Sequence, residues 1–512
     1  MKRLLLAGIL GLAGIAGAQY PARSVRFLNQ IDLPTLGARS GSGCSGYVSP
    51  SGREYAIIGL NTGYTVVDIT RPTAPRVIGH LPGVDSLWHE VAVIGDYAYG
   101  VTEGGGGMQV IDLRGADLGS VVPRANYTGN DYGRGHTIQA SPNTPTLYIH
   151  GAQPAPGGII ALNVSNPEFP VEIGRWGGAY VHDAQYVFYE SGPYAGREIA
   201  FACCGAEGLY ILDVSNKANI VVLGSLKYLA NGGYCHSGSL TPDGRFFLVN
   251  DEFDESNGLF PTATTHVIDV QNLSAPAYVR AFTNGVQAID HNSMVQDGHL
   301  MLASYTAGLR VYRIGGGGAL RETGFLDTFP SGDVFDYAGD WGVFAGFPSG
   351  NVIVSDMNRG LFVLDPSEAK GMGAPIVKVV KASGALGESA NAKLRRAGYG
   401  VVPFTGKDWQ PGLRVLFDSN ETAWTRWNLA VRLGSSDGTT GKVRAYLKDH
   451  GSGAFKKAGE WSYGPTRQTF SVSSTDASVV DASGNLELKL VVSAGAGVAT
   501  SVDVDMTRVT LR

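Results

Sequence analysis

The chain has 512 residues and a formal net charge of -5, and only 17% of its residues are charged. This balance provides no concentrated basic surface and therefore argues against a nucleic-acid partner. The chain is too long for one compact core, so we expect either two domains or one large repeat with an addition. The 72 glycines and scarce charged residues favour an all-β protein over a helical one.

The first eighteen residues are typical of a secretory signal peptide. A basic start, Met1 to Arg3, precedes an apolar run over 4–15 and small residues at 16–18. We therefore predict a signal peptide over 1–18 and a secreted protein, extracellular or periplasmic. No later apolar run approaches the roughly 20 residues of a transmembrane helix, so we expect none after cleavage.

A short apolar strand ending in nearly the same phrase then occurs seven times. The copies lie at 63–68, 107–112, 158–163, 208–213, 265–269, 308–313 and 360–365. Their spacing, between about 44 and 56 residues, is typical of four-stranded propeller blades and too long for leucine-rich or ankyrin repeats. The repeats predict a seven-bladed β-propeller, in which the innermost strands line a central channel.

The segment 25–32 has the pattern of an outer blade strand, although it precedes the first repeat. The last repeat stops after Pro366 and lacks such a strand. We therefore expect the N-terminal strand to complete the seventh blade, which would hide two sheet edges. This interpretation sets the propeller domain at 19–366.

A second domain is predicted after the propeller. Residues 367–375 contain glycine and proline and are typical of a linker. About eight strand patterns follow in 376–512 and predict a jelly-roll-like β-sandwich. Its aromatic residues could stack on a sugar in a carbohydrate-binding-like site or pack in the core. They are Trp424, Trp427, Trp461 and Tyr463.

An alignment of the innermost strands places one residue of each repeat in a common column. Its members are Cys44, His89, His136, His182, His236, His291 and Asp340. Neutral imidazoles are common ligands of transition metals, so the histidines and Asp340 predict a site for a divalent metal ion of unknown identity. Alternatively, the same side chains only bond neighbouring blades together, because buried polar groups need partners.

Carboxylates next to this column would supply the chemistry of an enzyme. Glu90 and Asp183 flank column histidines, and Asp251 ends a second strand, so each is a candidate general base. Glu103, at the end of another second strand, could orient an imidazole.

The four cysteines fit no zinc-binding motif. They are Cys44, Cys203, Cys204 and Cys235. In an exported protein, one of the adjacent pair could form a disulfide with Cys235 of the next blade. Free buried thiols are the alternative, because connectivity does not follow from sequence.

Several motifs occur in a fixed order along the propeller. They are Ser-Leu-Trp-His-Glu at 86–90, His-Asp-Ala-Gln at 182–185, Asn-Asp-Glu-Phe-Asp-Glu at 250–255, Ile-Asp-His-Asn at 289–292 and Phe-Pro-Ser-Gly-Asn-Val-Ile-Val-Ser-Asp at 347–356. With the repeat phrase, they resemble the choice-of-anchor B family of secreted LVIVD-repeat β-propellers over about residues 24–366. The resemblance implies export and a propeller, but no reaction or cofactor. Members typically end in a surface-anchoring element, whereas this chain ends in strand patterns.

Three functional hypotheses follow from these observations. The first, which we favour, is an exported binding or scaffold protein of the cell envelope or extracellular space, whose C-terminal domain docks to envelope polysaccharide or protein. The second is a metal-dependent hydrolase or lyase with its site at the channel mouth. The third is a purely structural envelope protein. The fold cannot choose among them, since propellers host both binding and catalysis.

Overall fold

The structure is a computed structural model that describes residues 20–155 and 157–371, together with nine strands between 378 and 511. The predicted signal peptide, 1–18, lies outside the described residues. The chain divides into two compact units, 1–370 and 371–512. No described helix is long and apolar enough to cross a lipid bilayer.

The first unit is a seven-bladed β-propeller, which confirms the predicted all-β architecture. It begins with β1 (Ala22–Arg23), β2 (Arg26–Ile31) and a short helix, α1 (Leu33–Leu36). Blade one contains β3 (Gly41–Val48), β4 (Glu54–Leu60), β5 (Gly63–Asp68) and β6 (Arg76–Pro82). Blade two contains β7 (His89–Ile94), β8 (Tyr97–Thr102), β9 (Gln109–Asp112) and β10 (Val122–Pro123). Blade three contains β11 (Thr137–Ala140), β12 (Thr146–His150), β13 (Ile159–Asn163) and β14 (Val171–Trp176).

The remaining four blades repeat this antiparallel order. Blade four contains β15 (Asp183–Phe188), β16 (Glu198–Cys203), β17 (Leu209–Asp213) and β18 (Val221–Leu226). Blade five contains β19 (Cys235–Leu240), β20 (Phe246–Asp251), β21 (Thr264–Asp269) and β22 (Ala277–Thr283). Blade six contains β23 (Asn292–Gln296), β24 (His299–Ala303), β25 (Leu309–Ile314) and β26 (Leu320–Leu326). Blade seven contains β27 (Asp340–Phe344), β28 (Val352–Asp356) and β29 (Gly360–Asp365). Three short 3-10 helices lie at Ala116–Leu118, Gly129–Asp131 and Gly316–Gly318.

The two ends of the propeller sequence meet in the seventh blade. Strand β2 pairs antiparallel with β29, with Phe27 opposite Leu364 and Gln30 opposite Phe362. Strand β1 adds to the outer edge of blade six by pairing with β26. Because the first and last parts share one sheet, the ring closes through backbone hydrogen bonds.

The apolar core lies between the blades, and polar residues line the channel. In β20, Phe247 and Val249 pack in the cluster shared with blade four, whereas Phe246 and Leu248 pack in the cluster shared with blade six. Middle strands are thus covered on both faces, which explains why their sequences are continuously apolar. The inner strands border the channel, so their polar residues meet there.

In the second unit, nine strands form two antiparallel sheets. One contains β30 (Lys378–Lys381), β32 (Arg414–Phe417), β34 (Gly441–Lys448), β35 (Phe455–Tyr463) and β37 (Leu486–Ala494). The other contains β31 (Tyr399–Phe404), β33 (Trp427–Ser435), β36 (Gln468–Ser474) and β38 (Thr500–Leu511). Their packing as a β-sandwich stays a prediction. Trp424 and residues 372–375 of the predicted linker lie outside the described residues.

Candidate metal centre in the propeller channel

Four imidazoles from consecutive blades form a row. They belong to His136, His182, His236 and His291, at the starts of the inner strands of blades three to six. Successive ring centroids are 4.2, 4.0 and 4.3 Å apart. The side chains are buried, with 9% to 1% of each residue exposed. The repeat therefore gathers into one cluster four residues that are about 50 positions apart in sequence.

Side-chain contacts connect the last imidazole of the row to blade seven and from there to blade two. The Trp341 ring packs edge-on against His291 at 4.9 Å between centroids. Its indole Nε1 donates a hydrogen bond of 2.6 Å to Oε1 of Glu90. A Cβ at Gly43 would lie 2.0 Å from Oε2 of Glu90, so blade one makes room for this carboxyl by lacking a side chain.

Three imidazoles have their Nδ1 held by an oxygen. His136 Nδ1 lies 2.7 Å from Oε1 of Glu103, His182 Nδ1 3.0 Å from the carbonyl of His236, and His291 Nδ1 2.6 Å from the carbonyl of Trp341. A carbonyl or ionised carboxylate only accepts, so each Nδ1 carries the proton and donates it. In the neutral ring, Nε2 is then the unprotonated atom. Metal-binding histidines are commonly oriented in this way.

This arrangement brings two nitrogen lone pairs together. The Nε2 atoms of His136 and His182 are 2.7 Å apart. If both rings are neutral with a proton on Nδ1, neither Nε2 can donate to the other, and the contact is repulsive. A shared additional proton or a cation would resolve this conflict. A positive charge between these two Nε2 atoms would therefore stabilise the imidazole row.

Glu252 supplies a carboxylate beside the row. Its Oε2 is 3.8 Å from Nε2 of His236, and its Oε1 is 3.7 Å from Nε2 of His291. The Tyr305 hydroxyl donates a 2.7 Å hydrogen bond to Oε1. One ligand atom each from His182, His236 and Glu252 lie within 4.8 Å of one another. Among the described residues, this is the group compact enough to hold a metal ion.

The pKa values in the cluster favour neutral imidazoles. Burial, reinforced by the neighbouring imidazoles, lowers the pKa values of His182 and His236 well below the usual histidine value. Burial also lowers the pKa of His291 to about 3. The pKa of Glu252 is raised by burial. Neutral histidine is the form that binds metal, so no protons must leave these three rings before an ion enters.

The donors fit a transition metal better than calcium or magnesium. Imidazole nitrogen suits zinc, copper, iron and nickel, whereas calcium and magnesium require oxygen ligands. In a tetrahedral zinc site with Zn–N near 2.0–2.1 Å, ligand atoms lie about 3.4 Å apart. The separations at Glu252 are close to this value. The His136–His182 separation would have to widen by about 0.7 Å for both to ligate one such ion.

Three members of the predicted column lie outside the row: His89, Asp340 and Cys44. His89 packs against Tyr64 at 5.3 Å between centroids, with Nδ1 3.2 Å from the carbonyl of Ser86. Asp340 and Asp356 share the hydroxyl of Thr328, and burial together with Asp356 raises the pKa of Asp340 well above the usual value.

The structure thus brings four of the six predicted ligands together and places His89 and Asp340 apart from them. The register of β27 shifts between Asp340 and Gly342, as that of β19 shifts between Cys235 and Ser237, so Trp341 is the counterpart of His236. Trp341 therefore occupies the position that faces the row. In blade one, the corresponding strand also has an irregular register between Gly41 and Cys44, and burial raises the pKa of Cys44 to about 12.

The three candidate bases have different environments. Glu90 borders the channel, and its pKa is raised to about 7 by burial. Asp183 contacts blade three, 3.4 Å from both Thr137 Oγ1 and Gln139 Nε2. Asp251 accepts hydrogen bonds from three backbone amides and from the Tyr228 hydroxyl, so it stabilises the turn that follows β20.

Sequence reasoning did not select Glu252, Tyr305 or Trp341. Glu252 is adjacent to the selected Asp251, and alternation along an extended strand puts adjacent side chains on opposite sides. Trp341 is likewise adjacent to the selected Asp340. In both cases the correct segment was identified, and the side of the strand was not.

Comparison with known protein families supports the repeat. The LVIVD repeat matches residues 43–81, 89–118 and 200–227, so the chain carries LVIVD repeats. A search of curated protein sequences finds no match. The choice-of-anchor B assignment stays a prediction.

Solved structures give distant similarities. The Cps50 (Swd1) β-propeller domain of Myceliophteria thermophila is 13% identical with a TM-score of 0.42, covering 67% of this chain and 99% of that one. YCF48 bound to D1 peptide is 12% identical with a TM-score of 0.43, covering 68% and 94%. Hydrazine synthase of Kuenenia stuttgartiensis is 14% identical with a TM-score of 0.43, covering 65% and 96%. These values are too low to transfer a function.

Proposed function

We propose that the protein is an exported, metal-binding β-propeller that acts as a binding or scaffold protein in the envelope or extracellular space. One divalent transition-metal ion would occupy the channel, held by His182, His236 and Glu252. His136 and His291 are the adjacent imidazoles that can complete the coordination. The N-terminal sequence pattern supports export, and the second unit would provide the contact with envelope polysaccharide or protein.

One observation carries the metal proposal. The hydrogen-bond acceptors of the Nδ1 atoms of His136, His182 and His291 direct unprotonated Nε2 atoms into one small region beside the partly buried carboxylate of Glu252. A ring that served only to link blades would use its nitrogens on backbone groups. Here Nδ1 of His182 and of His291 does so, Nδ1 of His136 bonds the Glu103 carboxylate, and Nε2 of His136 and of His182 faces another imidazole.

Elemental analysis of the chelator-treated and zinc-reloaded protein tests this proposal. We expect near-stoichiometric zinc in the parent and its loss in the folded variant H182A/H236A/H291A. His299→Ala is the matched control, because His299 is also buried but bonds the carbonyl of Asp297 outside the channel row. Absence of zinc from the parent, or equal zinc in the triple variant, would leave the imidazoles as links between blades.

Hydrolase or lyase activity at the channel is a second candidate function, and the raised pKa of Glu90 favours it. A general base works best when its pKa is near the working pH, and Glu90 has a pKa of about 7. In this alternative, the metal would activate water or polarise the substrate and Glu90 would accept a proton.

The enzymatic alternative can be tested with chromogenic ester and phosphoester substrates. Activity that requires the metal and falls by about 100-fold or more in Glu90→Gln would support it. Turnover that is absent from the metal-loaded parent, or equal in the variant, would reject this role for Glu90 while leaving metal binding intact.

A further inference from the structure

Two cysteines from neighbouring blades meet beside the imidazole row. Cys203 ends β16 of blade four, and Cys235 begins β19 of blade five. They are 0% and 1% exposed and belong to the same apolar cluster. Burial and the neighbouring Cys235 thiol raise the pKa of Cys203, and both cysteines are free thiols in this structure. The contact joins two sheets whose polypeptide segments are separated by the rest of blade four.

The backbone holds the two segments in register at this point. Gly205 and Cys235 exchange two hydrogen bonds, each of 3.0 Å, from amide to carbonyl. Such a pair keeps the Cα atoms of Gly205 and Cys235 about 5.5 Å apart. Cys203 is two residues before Gly205 on the same segment. The backbone of blades four and five is therefore held together immediately beside both cysteines.

The other two cysteines face different surroundings. Cys204 packs in the cluster between blades three and four, with Sγ 3.6 Å from the carbonyl of Ala202. Cys44 packs with the cluster between blades one and seven. The alternation between Cys203 and Cys204 thus selects one member of the adjacent pair, which the sequence left open.

We propose that Cys203 and Cys235 form a disulfide that fastens blade four to blade five. In exchange with an organic disulfide such as oxidised glutathione, one cysteine thiolate attacks to form a mixed disulfide, and the second cysteine then displaces the remaining glutathione. Two protein thiols are oxidised, one glutathione disulfide is reduced, and the two protons end on two glutathione thiols. Because both thiols are buried, the bond forms while the chain folds.

This bond would also fix two residues of the candidate metal centre. His236 follows Cys235 directly, and the amide of His182 donates a 2.8 Å hydrogen bond to the carbonyl of Cys203. The disulfide would therefore connect the backbone segments that carry these two imidazoles. Its formation is independent of metal, so each proposal can fail without the other.

Differential alkylation of the full chain, produced in an oxidising compartment, tests the disulfide. The denatured protein is first blocked with iodoacetamide, then reduced, and newly released thiols are labelled with N-ethylmaleimide. We expect the second label on Cys203 and Cys235, the first label on Cys44 and Cys204, and a 203–235 linked peptide in the unreduced digest. The first label on Cys203 and Cys235, or a bond through Cys204, would overturn the proposal.

Thermal unfolding with and without reductant provides a second measurement. Reduction should lower the melting temperature of the parent and of Cys204→Ala by several degrees, because the link restrains the unfolded chain. Cys203→Ala should melt at the same temperature under both conditions. An equal effect of reductant on Cys203→Ala and the parent would contradict the assignment of this pair.

Discussion

At the scale of single residues, Asp251 and Glu252 are neighbours with different environments. Asp251 is fully buried and accepts hydrogen bonds from the amides of Tyr234, Phe253 and Asp254. Glu252 accepts one hydrogen bond, from Tyr305, and otherwise faces imidazoles. The first carboxylate therefore supports the fold, and the second is available to a ligand.

We expect Glu252→Ala to weaken zinc binding by at least about tenfold, because a charged ligand is lost. Without metal, its free energy of unfolding should fall by only about 1 kcal/mol, through the lost bond to Tyr305. Isothermal titration with zinc and urea unfolding in chelator measure the two quantities.

Asp251→Ala is the matched substitution. It leaves several buried donors without an acceptor, so the free energy of unfolding should fall by about 3 kcal/mol. At a temperature where it is still folded, its zinc affinity should stay close to that of the parent. The reverse pattern in the two variants would show that the roles of Asp251 and Glu252 have been exchanged.

Glu90 predicts a pH dependence of stability. Burial raises the pKa of Glu90 from 4.5 to about 7, so between these values the folded protein keeps a proton that the unfolded chain has lost. Unfolding then releases a proton, and the contribution of Glu90 to the free energy of unfolding falls as the pH rises from about 4.5 to about 7.

The comparison is between the parent and Glu90→Gln, in chelator, at pH 5 and pH 7.5. The parent should lose up to about 3 kcal/mol more stability than the variant over this interval, because each pKa unit corresponds to about 1.4 kcal/mol. Urea unfolding at both pH values measures the difference, and other titrating groups cancel between the two proteins. Parallel pH profiles would mean that Glu90 is ionised in the folded state throughout.

Part of this site could be predicted from sequence. The repeat aligns His136, His182, His236 and His291, because each begins an inner strand and the blade period brings inner strands together. The choice of Asp340 over Trp341 was one residue off, because the register shifts at Asp340/Gly342 and at Cys235/Ser237 depend on the backbone and not on residue type. Glu252 was missed because strand residues alternate sides, and the end of β20 is where that alternation is hardest to assign.

At the scale of strands and blades, glycines in the outer strands allow the backbone of the next blade to approach closely. A Cβ at Gly174 in β14 would lie 1.7 Å from the carbonyl oxygen of Lys217 in blade four. A Cβ at Gly224 in β18 would lie 2.5 Å from the carbonyl oxygen of Leu273 in blade five. Each glycine therefore leaves room for the segment that connects the third and fourth strands of the following blade.

We expect Gly174→Ala to lower the free energy of unfolding by about 3 kcal/mol, since backbone must move to accept the methyl group. Gly133→Ala is the control, because its Cβ would meet nothing within 4 Å. Urea unfolding should show little change for the control. Equal stability of both variants would mean that blades three and four separate easily at this contact.

The blades themselves were predictable because their signals are local. The phrase over 63–68 and its six copies mark third strands, and the spacing gives the number of blades. The N-terminal strand is less obvious, since β2 and β29 are more than 300 residues apart. Its pattern matches the outer strand that the last repeat lacks, and backbone pairing places it there. The close approach at Gly174 has no comparable sequence signal, because glycine is abundant throughout the chain.

At the scale of the whole molecule, the two proposed roles are assigned to different units of the chain. Every side chain of the candidate centre comes from the first unit, 1–370, and its blades close through β2 and β29. The apolar clusters that pack between neighbouring blades also lie within this unit. Metal binding should therefore depend on the propeller, whereas attachment to an envelope component would depend on the second unit.

A chain ending at residue 371 tests this division. It should take up as much zinc as the full chain with the same affinity, because no candidate ligand has been removed. Binding to envelope polysaccharide, measured by co-sedimentation of both proteins with isolated cell walls, should be lost with the second unit. A truncated, folded chain that still sedimented would move the docking surface to the propeller, and one with weaker zinc binding would show that residues after 371 contribute to the metal centre.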